Sequence, residues 1–168
     1  KSDTEFTVPD GVNEIGYGAF TESLALQSVT LPESVSVIGT NAFKKCTALQ
    51  NIICNGSIES LGSGSFTDTA FFKNSSNWEN GVLYFTDWAA AVKRSTEAVV
   101  IKNGTRAVTD SPFVSEGFSS TNYVKTVSLP ESLRVVPEGV FGECRKLEAI
   151  SVDPNNPDYY SLSGALLS

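Results

Sequence analysis

The chain has 168 residues, of which 40% are hydrophobic and 18% are charged, and its net charge at pH 7 is −7. That is too apolar for a disordered chain, and the acidic balance argues against nucleic acid or an anionic membrane as the main partner, since both bind through clustered Lys and Arg. No apolar run approaches the roughly 18 residues of a membrane-spanning helix, so no membrane insertion by this chain is expected.

A repeating unit organises the chain. It reads VPDGVNEIGYGAFTESLALQSVT from Val8, LPESVSVIGTNAFKKCTALQNII from Leu31 and LPESLRVVPEGVFGECRKLEAIS from Leu129. An altered copy starts at Cys54, so the starts at 8, 31 and 54 give a period of 23 residues. A fixed period of this length is typical of stacked repeats, in which each unit buries its apolar edge against its neighbours. The sequence therefore predicts a solenoid.

Within a unit, the residue pattern predicts a short strand followed by turns. Val29 and Leu31 alternate with polar residues, which indicates a strand with one buried face. Residues 42–46 are too few for a free-standing helix and are predicted to form a turn of 3-10 or α type. The recurring phenylalanine, Phe43 in the second copy, is expected to stack on its counterparts in neighbouring coils.

A recurring glycine in the unit leaves two interpretations open. Gly16, Gly39 and Gly62 share one repeat position, which suggests a positive φ. Pro137 takes that position in the last full copy, and proline fixes φ near −65°. Either the glycine allows a close approach of backbones, or the last coil differs.

In chain order, the pattern predicts one solenoid over residues 1–168. Its parts are an N-terminal edge (1–7), three regular repeats (8–70), a variant coil (71–100), a degenerate repeat with an insertion (101–128), a regular repeat (129–151) and a truncated variant coil (152–168). Phe113 keeps the phase of the degenerate repeat, and the Ser-, Gly- and Thr-rich insertion at 114–122 predicts a surface loop.

The variant coil carries its own local signals. Asn80-Gly81 predicts a tight turn before a strand at 82–85, and residues 89–92 are predicted to be a short strand or a helical turn. The chain opens KSDTEF and contains no Met, as expected of a mature or trimmed chain whose signal peptide has been removed.

These motifs resemble the BspA-like, Treponema pallidum type of leucine-rich repeat, whose unit runs approximately L-x-x-I-x-I-P-x-S-V-x-x-I-G-x-x-A-F-x-x-C. The matching stretches are LPESVSVIGTNAFKKC, NWENGVLY, IKNGTRAV and DPNNPDYYSLSGALL. The resemblance implies a right-handed coil of about seven units, with short parallel strands on the concave face and turns, short strands and short 3-10 or α segments elsewhere. It also implies a secreted or cell-surface adhesion protein of a host-associated bacterium, with no catalytic residues to carry over.

The sequence offers little for catalysis or cofactors. The chain has no His, which removes Ser-His-Asp and Cys-His catalysis, and we expect no enzymatic activity and no cofactor. Cys46 and Cys144 share one repeat position about four coils apart, roughly 20 Å at the strand spacing, so they are predicted to be buried thiols rather than a disulfide or a zinc site. The acidic and amide residues Asp153, Asn155, Asn156 and Asp158 fit either a rigid turn or, less simply, a calcium site.

Candidate binding residues come from two sources. The strand alternation places a flat strip of small, mostly uncharged side chains outward, and aromatic residues that could anchor a partner lie in the variant coil and beside the insertion. We expect Trp88, in the polar-flanked TDWAAAVKR, to be the exposed tryptophan, while Tyr84 and one Trp could instead pack in the core. The candidate set is Ser28, Thr30, Asn51, Thr126, Ser128, Trp78, Tyr84, Trp88 and Tyr123.

Two functional classes remain. The first is a non-catalytic recognition or adhesion module, at the cell surface or secreted, that binds a host matrix or cell-surface protein or a glycan. The second is a structural spacer array within a larger surface protein.

Overall fold

The computed structural model describes residues 4–111, 123–142 and 144–168. The chain divides into two compact units, Lys1–Asn77 and Trp78–Ser168. Phe113 and the predicted surface loop at 114–122 lie outside the described residues.

The first unit contains six short strands and a helical turn. In chain order these are β1 (Glu5–Thr7), β2 (Glu14–Ile15), β3 (Ser28–Leu31), β4 (Val37–Ile38), β5 (Asn51–Cys54), β6 (Ser60–Leu61), α1 (Ala70–Lys73) and a 3-10 turn at Ser75–Asn77. β1, β3 and β5 form one parallel sheet, and β2, β4 and β6 form another. Glu5 lies opposite Ser28, and Ser28 lies opposite Asn51, so the pairing follows the 23-residue period and confirms the predicted solenoid.

Hydrogen-bonded turns link the two sheets of this unit. The N–H groups of Ala42, Lys44 and Cys46 donate to carbonyls three residues earlier, at 3.0–3.1 Å. The Phe43 N–H donates instead to the Ser65 carbonyl of the next coil, at 2.9 Å. Lys45 has a φ of 62°, and a left-handed residue cannot continue a helix. The predicted turn is therefore present as successive 3-10-type turns without an α-helix.

A column of phenylalanines fills the core of the first unit. The ring centroids of Phe20 and Phe43 are 5.2 Å apart, and those of Phe43 and Phe66 are 6.2 Å apart, both in stacked geometry. Phe43 is completely buried. The predicted stacking is confirmed, and it follows from a bulky ring recurring once per coil.

The recurring glycine serves a close approach of backbones. None of Gly16, Gly39 and Gly62 has a positive φ. A Cβ on Gly62 would lie 2.2 Å from the Thr40 nitrogen, and one on Gly39 would lie 2.8 Å from the Tyr17 nitrogen. At Gly16, in the first coil, a Cβ would meet nothing within 4 Å. The first interpretation is thus correct.

The second unit contains nine strands. They are β7 (Trp78–Glu79), β8 (Val82–Phe85), β9 (Trp88–Val92), β10 (Ala98–Val100), β11 (Ala107–Val108), β12 (Thr126–Leu129), β13 (Ala149–Val152), β14 (Tyr160–Leu162) and β15 (Ala165–Leu167). β10, β12 and β13 form a parallel sheet. β7, β8 and β9 form an antiparallel meander to which β11 adds in parallel, and β14 and β15 form a hairpin.

The two variant coils share one turn. Asn80 and Gly81 have φ values of 50° and 82°, and Ser163 and Gly164 have 51° and 82°. Two successive positive φ values are the requirement of a type I′ hairpin turn, whose twist matches that of the flanking strands. The tight turn and the strand at 82–85 are confirmed, and residues 89–92 form a strand.

The core of the second unit contains one unsatisfied hydroxyl. Thr105 is 1% exposed, and its Oγ1 has no hydrogen-bond partner among the described residues. By the repeat alignment it takes the position of Val35 and Leu133, which are completely buried.

Replacing Thr105 with Val is therefore expected to raise the free energy of unfolding by about 1 kcal/mol, because a buried hydroxyl without a partner costs about that much or more. Urea denaturation of both proteins measures the change. The matched control is Thr69→Val. The Thr69 hydroxyl, also fully buried, donates to the Phe66 carbonyl and accepts from the Phe72 N–H, so its loss should destabilise by about 1 kcal/mol. Equal effects of the two substitutions would contradict the assignment.

Candidate functional site

The outer face of the β1–β3–β5 sheet consists of two rows of small side chains. Glu5, Ser28 and Asn51 form the first row, and Thr7, Thr30 and Ile53 form the second. The alternating residues Val29 and Leu31 are completely buried, whereas Ile53 is 49% exposed. The structure thus brings together the predicted residues Ser28, Thr30 and Asn51 on one sheet face.

The outer face of the β10–β12–β13 sheet repeats this arrangement. Thr126 lies between Ala98 and Ala149, and Ser128 lies between Val100 and Ser151. The hydroxyl oxygens of Ser128 and Ser151 are 2.9 Å apart, and Val100 is 52% exposed. The predicted Thr126 and Ser128 therefore lie side by side on this face.

An ion pair borders the second of these faces. Glu97 and Lys125 immediately precede β10 and β12, and the Lys125 Nζ lies 2.8 Å from a Glu97 carboxylate oxygen. The hydrogen bond from Lys125 holds the pKa of Glu97 below its ordinary value, and the same bond raises the pKa of Lys125. Both groups are exposed at the strand starts, so this edge carries its own counterions.

Trp88 is buried, and the expectation that it is the exposed tryptophan was wrong. It is 4% exposed, because β9 lies between β8 and β11 and all five of its residues are buried. The Arg106 guanidinium lies 5.5 Å from the Trp88 ring centroid, and its Nε bonds Asp87 at 2.7 Å. The polar neighbours that suggested exposure thus cover the ring.

Tyr84 also belongs largely to the framework. It is half-buried, and its hydroxyl accepts a hydrogen bond from the Lys102 N–H at 3.1 Å. The Lys102 Nζ lies 4.2 Å from the Tyr84 ring centroid and 3.0 Å from Glu79. Burial raises the pKa of Tyr84. The structure supports the interpretation that this tyrosine packs the variant coil.

The other two aromatic candidates are more accessible. Trp78 is half-buried with the Lys93 Nζ 5.1 Å from its ring centroid. Tyr123 is 41% exposed with the Lys146 Nζ 4.4 Å from its centroid. Sequence reasoning missed Tyr17, which is 78% exposed. The available signal was that Tyr17 takes the repeat position of Thr40 and Ser63.

The segment from Asp153 to Asp158 is built as a turn. The Asp153 Oδ1 accepts a hydrogen bond from the Asn155 N–H at 2.9 Å, and the Asn156 Oδ1 accepts from the Asp158 and Tyr159 N–H groups at 2.9 Å. The Asn156 amide donates to the Pro130 carbonyl of the preceding coil at 2.8 Å. These bonds support the structural alternative, and within the described ranges no three His, Cys, Asp or Glu side chains group to hold a metal ion.

The three cysteines are free thiols, and they differ in accessibility. Cys46 and Cys144 are buried, as predicted, and Cys46 donates to the Phe20 carbonyl at 2.8 Å. Burial raises the pKa of the Cys46 thiol. Cys54 has intermediate exposure.

In the native chain, a small thiol reagent at pH 8 should therefore modify Cys54 at least tenfold faster than the other two, because the thiolate is the reactive form and burial withholds it. Mass spectrometry of peptides from a time course gives the three rates, and the urea-unfolded chain is the control, in which the rates should converge. Equally fast native labelling of Cys46 would contradict the burial.

Comparison with protein families decides the classification. A family model described as the BspA type leucine rich repeat region matches residues 1–115 and 111–161, in six copies. The chain belongs to this family. A comparison with curated proteins gives no match.

Solved structures similar to this BspA-type chain come from several bacteria. A leucine rich cell surface protein of Faecalibacterium prausnitzii is 27% identical, with 89% of this chain and 32% of that one covered and a TM-score of 0.42. A leucine-rich repeat protein of Eubacterium ventriosum is 20% identical over 97% of this chain and 35% of that one, with a TM-score of 0.44. The T. pallidum leucine rich repeat protein is 23% identical over 89% and 59%, with a TM-score of 0.44. The chain thus spans about a third of the length of the first two. No helix in its described part is long and apolar enough to cross a membrane.

Proposed function

We propose that this BspA-type chain is a non-catalytic recognition module, displayed on a bacterial surface or secreted, that binds a host protein or glycan through its outer strand faces. The observation that carries this proposal is the pair of three-stranded sheets with exposed rows of small hydroxyl, amide and aliphatic side chains, Asn51 and Thr126 among them. A flat, largely uncharged face of this kind can hydrogen-bond a partner with little desolvation cost. The chemistry of the sequence adds support, since without His the commonest general base is absent.

Binding of the full chain to a panel of immobilised host matrix proteins and glycans tests the proposal. The double variant Asn51→Arg/Thr126→Arg places a long charged side chain on each strand face and should weaken any saturable binding at least tenfold. The matched control is Thr47→Arg/Ser95→Arg, which adds the same charge at exposed positions outside the strands. Equal loss in both variants would contradict strand-face recognition.

The spacer alternative makes a different prediction. A structural array needs stacked coils but no ligand, so the wild-type chain should then show no saturable binding to any member of the panel. The exposed Ile53 and Val100 favour recognition over a spacer, because each places a large aliphatic side chain in solvent in the middle of its sheet face.

A further inference from the structure

The first unit has a groove where its outer sheet face ends. The groove has a volume of about 820 Å³ and follows the carboxyl ends of β1, β3 and β5. Thr7 and Thr30 continue into it from the sheet face, Asn55 lies at its far side, and Asp10 and Glu33 project from the repeat turns beside it. It is therefore a polar extension of the proposed binding face.

The carboxylates of this groove have no counterions within the unit. Residues 4–43 contain no Lys or Arg. Among the described residues, neither Asp10 nor Glu33 takes part in an ion pair, and Glu5 on the adjoining sheet face takes part in none. Lys45, from the turns after β4, is already bonded to Glu22 at 2.9 Å. The negative charge of this face is thus left uncompensated by the fold.

The same repeat turns in the second unit are compensated. There Lys102, Arg106 and Arg134 occupy the turns that follow β10 and β12, and they lie 3.0, 2.7 and 3.6 Å from Glu79, Asp87 and Asp158. Each unit therefore treats one repeat position differently. The second unit pairs its charges internally, whereas the first presents carboxylates to solvent beside an exposed hydrogen-bonding sheet.

The groove is also held in shape before any partner arrives. The Gly11 N–H donates to the Ser34 hydroxyl at 3.1 Å, and that hydroxyl donates to the Val12 carbonyl at 2.8 Å, so the two turns that carry Asp10 and Glu33 are bonded to each other. A preformed surface loses little conformational entropy on binding, which favours affinity.

From this charge complementarity we infer that the β1–β3–β5 face and its groove dock a basic segment of a partner protein, with Arg or Lys side chains placed at Asp10 and Glu33. The inference rests on the proposed function and adds the chemistry of the partner. Arginine suits the site because its planar guanidinium bonds carboxylates in paired geometry, and the neighbouring Thr and Asn side chains accept its remaining N–H groups.

The test uses the full 168-residue chain and a fluorescein-labelled probe peptide, Gly-Arg-Ser-Arg-Gly-Arg-Ser-Arg-Gly, with a second peptide in which citrulline replaces each Arg. Fluorescence anisotropy should show binding of the arginine peptide that is at least tenfold tighter than that of the citrulline peptide. The binding should weaken as NaCl is raised from about 50 to 300 mM, because salt screens exposed charges.

Two double variants locate the binding. Asp10→Asn/Glu33→Gln keeps the side-chain shapes and should weaken the arginine peptide about tenfold. Glu131→Gln/Glu138→Gln removes the same charge from exposed positions of the second unit and should change binding less than twofold. In ¹⁵N spectra, the peptide should shift the amides of Thr7, Gly11, Thr30 and Ser34. Thermal unfolding of each variant checks that the fold is intact.

Several results would overturn the inference. They are equal weakening by the two double variants, amide shifts confined to the second unit, or a response of the groove amides to CaCl₂ but not to the arginine peptide. The outcome is separable from that of the matrix panel. A panel protein that binds Asp10→Asn/Glu33→Gln as tightly as wild type contradicts this inference alone, whereas arginine-peptide binding without any panel binding contradicts the proposed host recognition alone.

Discussion

Replacing Phe43 with Ala is expected to lower the free energy of unfolding of the first unit by about 4 kcal/mol. The ring is completely buried and stacks between Phe20 and Phe66, with centroid distances of 5.2 and 6.2 Å. Its removal loses the transfer free energy of the ring and leaves a cavity that neighbouring coils cannot fill without breaking their strand pairing. Urea denaturation monitored by circular dichroism measures the change.

The control for this prediction lies at the end of the same column. Phe6 is 41% exposed and touches Phe20 edge-on at a centroid distance of 5.3 Å. Phe6→Ala should therefore cost only about 1 kcal/mol, in proportion to the smaller apolar area that it buries. If Phe43→Ala cost no more than Phe6→Ala, the phenylalanine column would not be the main source of cohesion between coils.

Replacing Gly62 with Ala is expected to destabilise the chain by about 3 kcal/mol or to prevent folding. The added Cβ would lie 2.2 Å from the Thr40 nitrogen and 2.7 Å from the Gly39 carbonyl carbon, both backbone atoms of the preceding coil. Backbone cannot rotate away as a side chain can, so the two coils must separate and strain their hydrogen bonds.

Gly16→Ala provides the matched comparison. Gly16 holds the same repeat position, has no positive φ, and offers open space to a Cβ. Its substitution should change the unfolding free energy by less than about 0.5 kcal/mol. Differential scanning calorimetry of both variants gives the contrast. A large loss in Gly16→Ala would show that the glycine is needed for its backbone conformation and not for the contact between coils.

The features that sequence reasoning predicted are those that depend on local periodicity. The alternation of Val29 and Leu31 with Ser28 and Thr30 defines the buried and outward faces of a strand, and the 23-residue spacing defines which strands pair. Asn80-Gly81 predicted its turn because few other residues tolerate two successive positive φ values. These signals were sufficient for the outward strip of the candidate site.

The features that it missed depend on pairing outside the period. Trp88 is buried because Ala107, only 19 residues later, lies opposite it in β11. No repeat spacing announces that pairing, and the adjacent Asp87 gave a misleading signal of exposure since its charge is spent on Arg106. The acidic groove was missed for a similar reason. The sequence shows Asp10 and Glu33 at one repeat position, but only the fold shows that no described cation reaches them.

Hydrogen–deuterium exchange of the chain, alone and bound to the partner isolated from the matrix panel, tests the central claim most directly. If the outer strand faces recognise the partner, protection on binding should concentrate in peptides that cover β1, β3 and β5, or β10, β12 and β13. Protection confined to the turns at residues 39–46 and 62–69 would contradict the account. So would a wild-type chain that binds no member of the panel, because strand faces without a ligand are what a structural spacer requires.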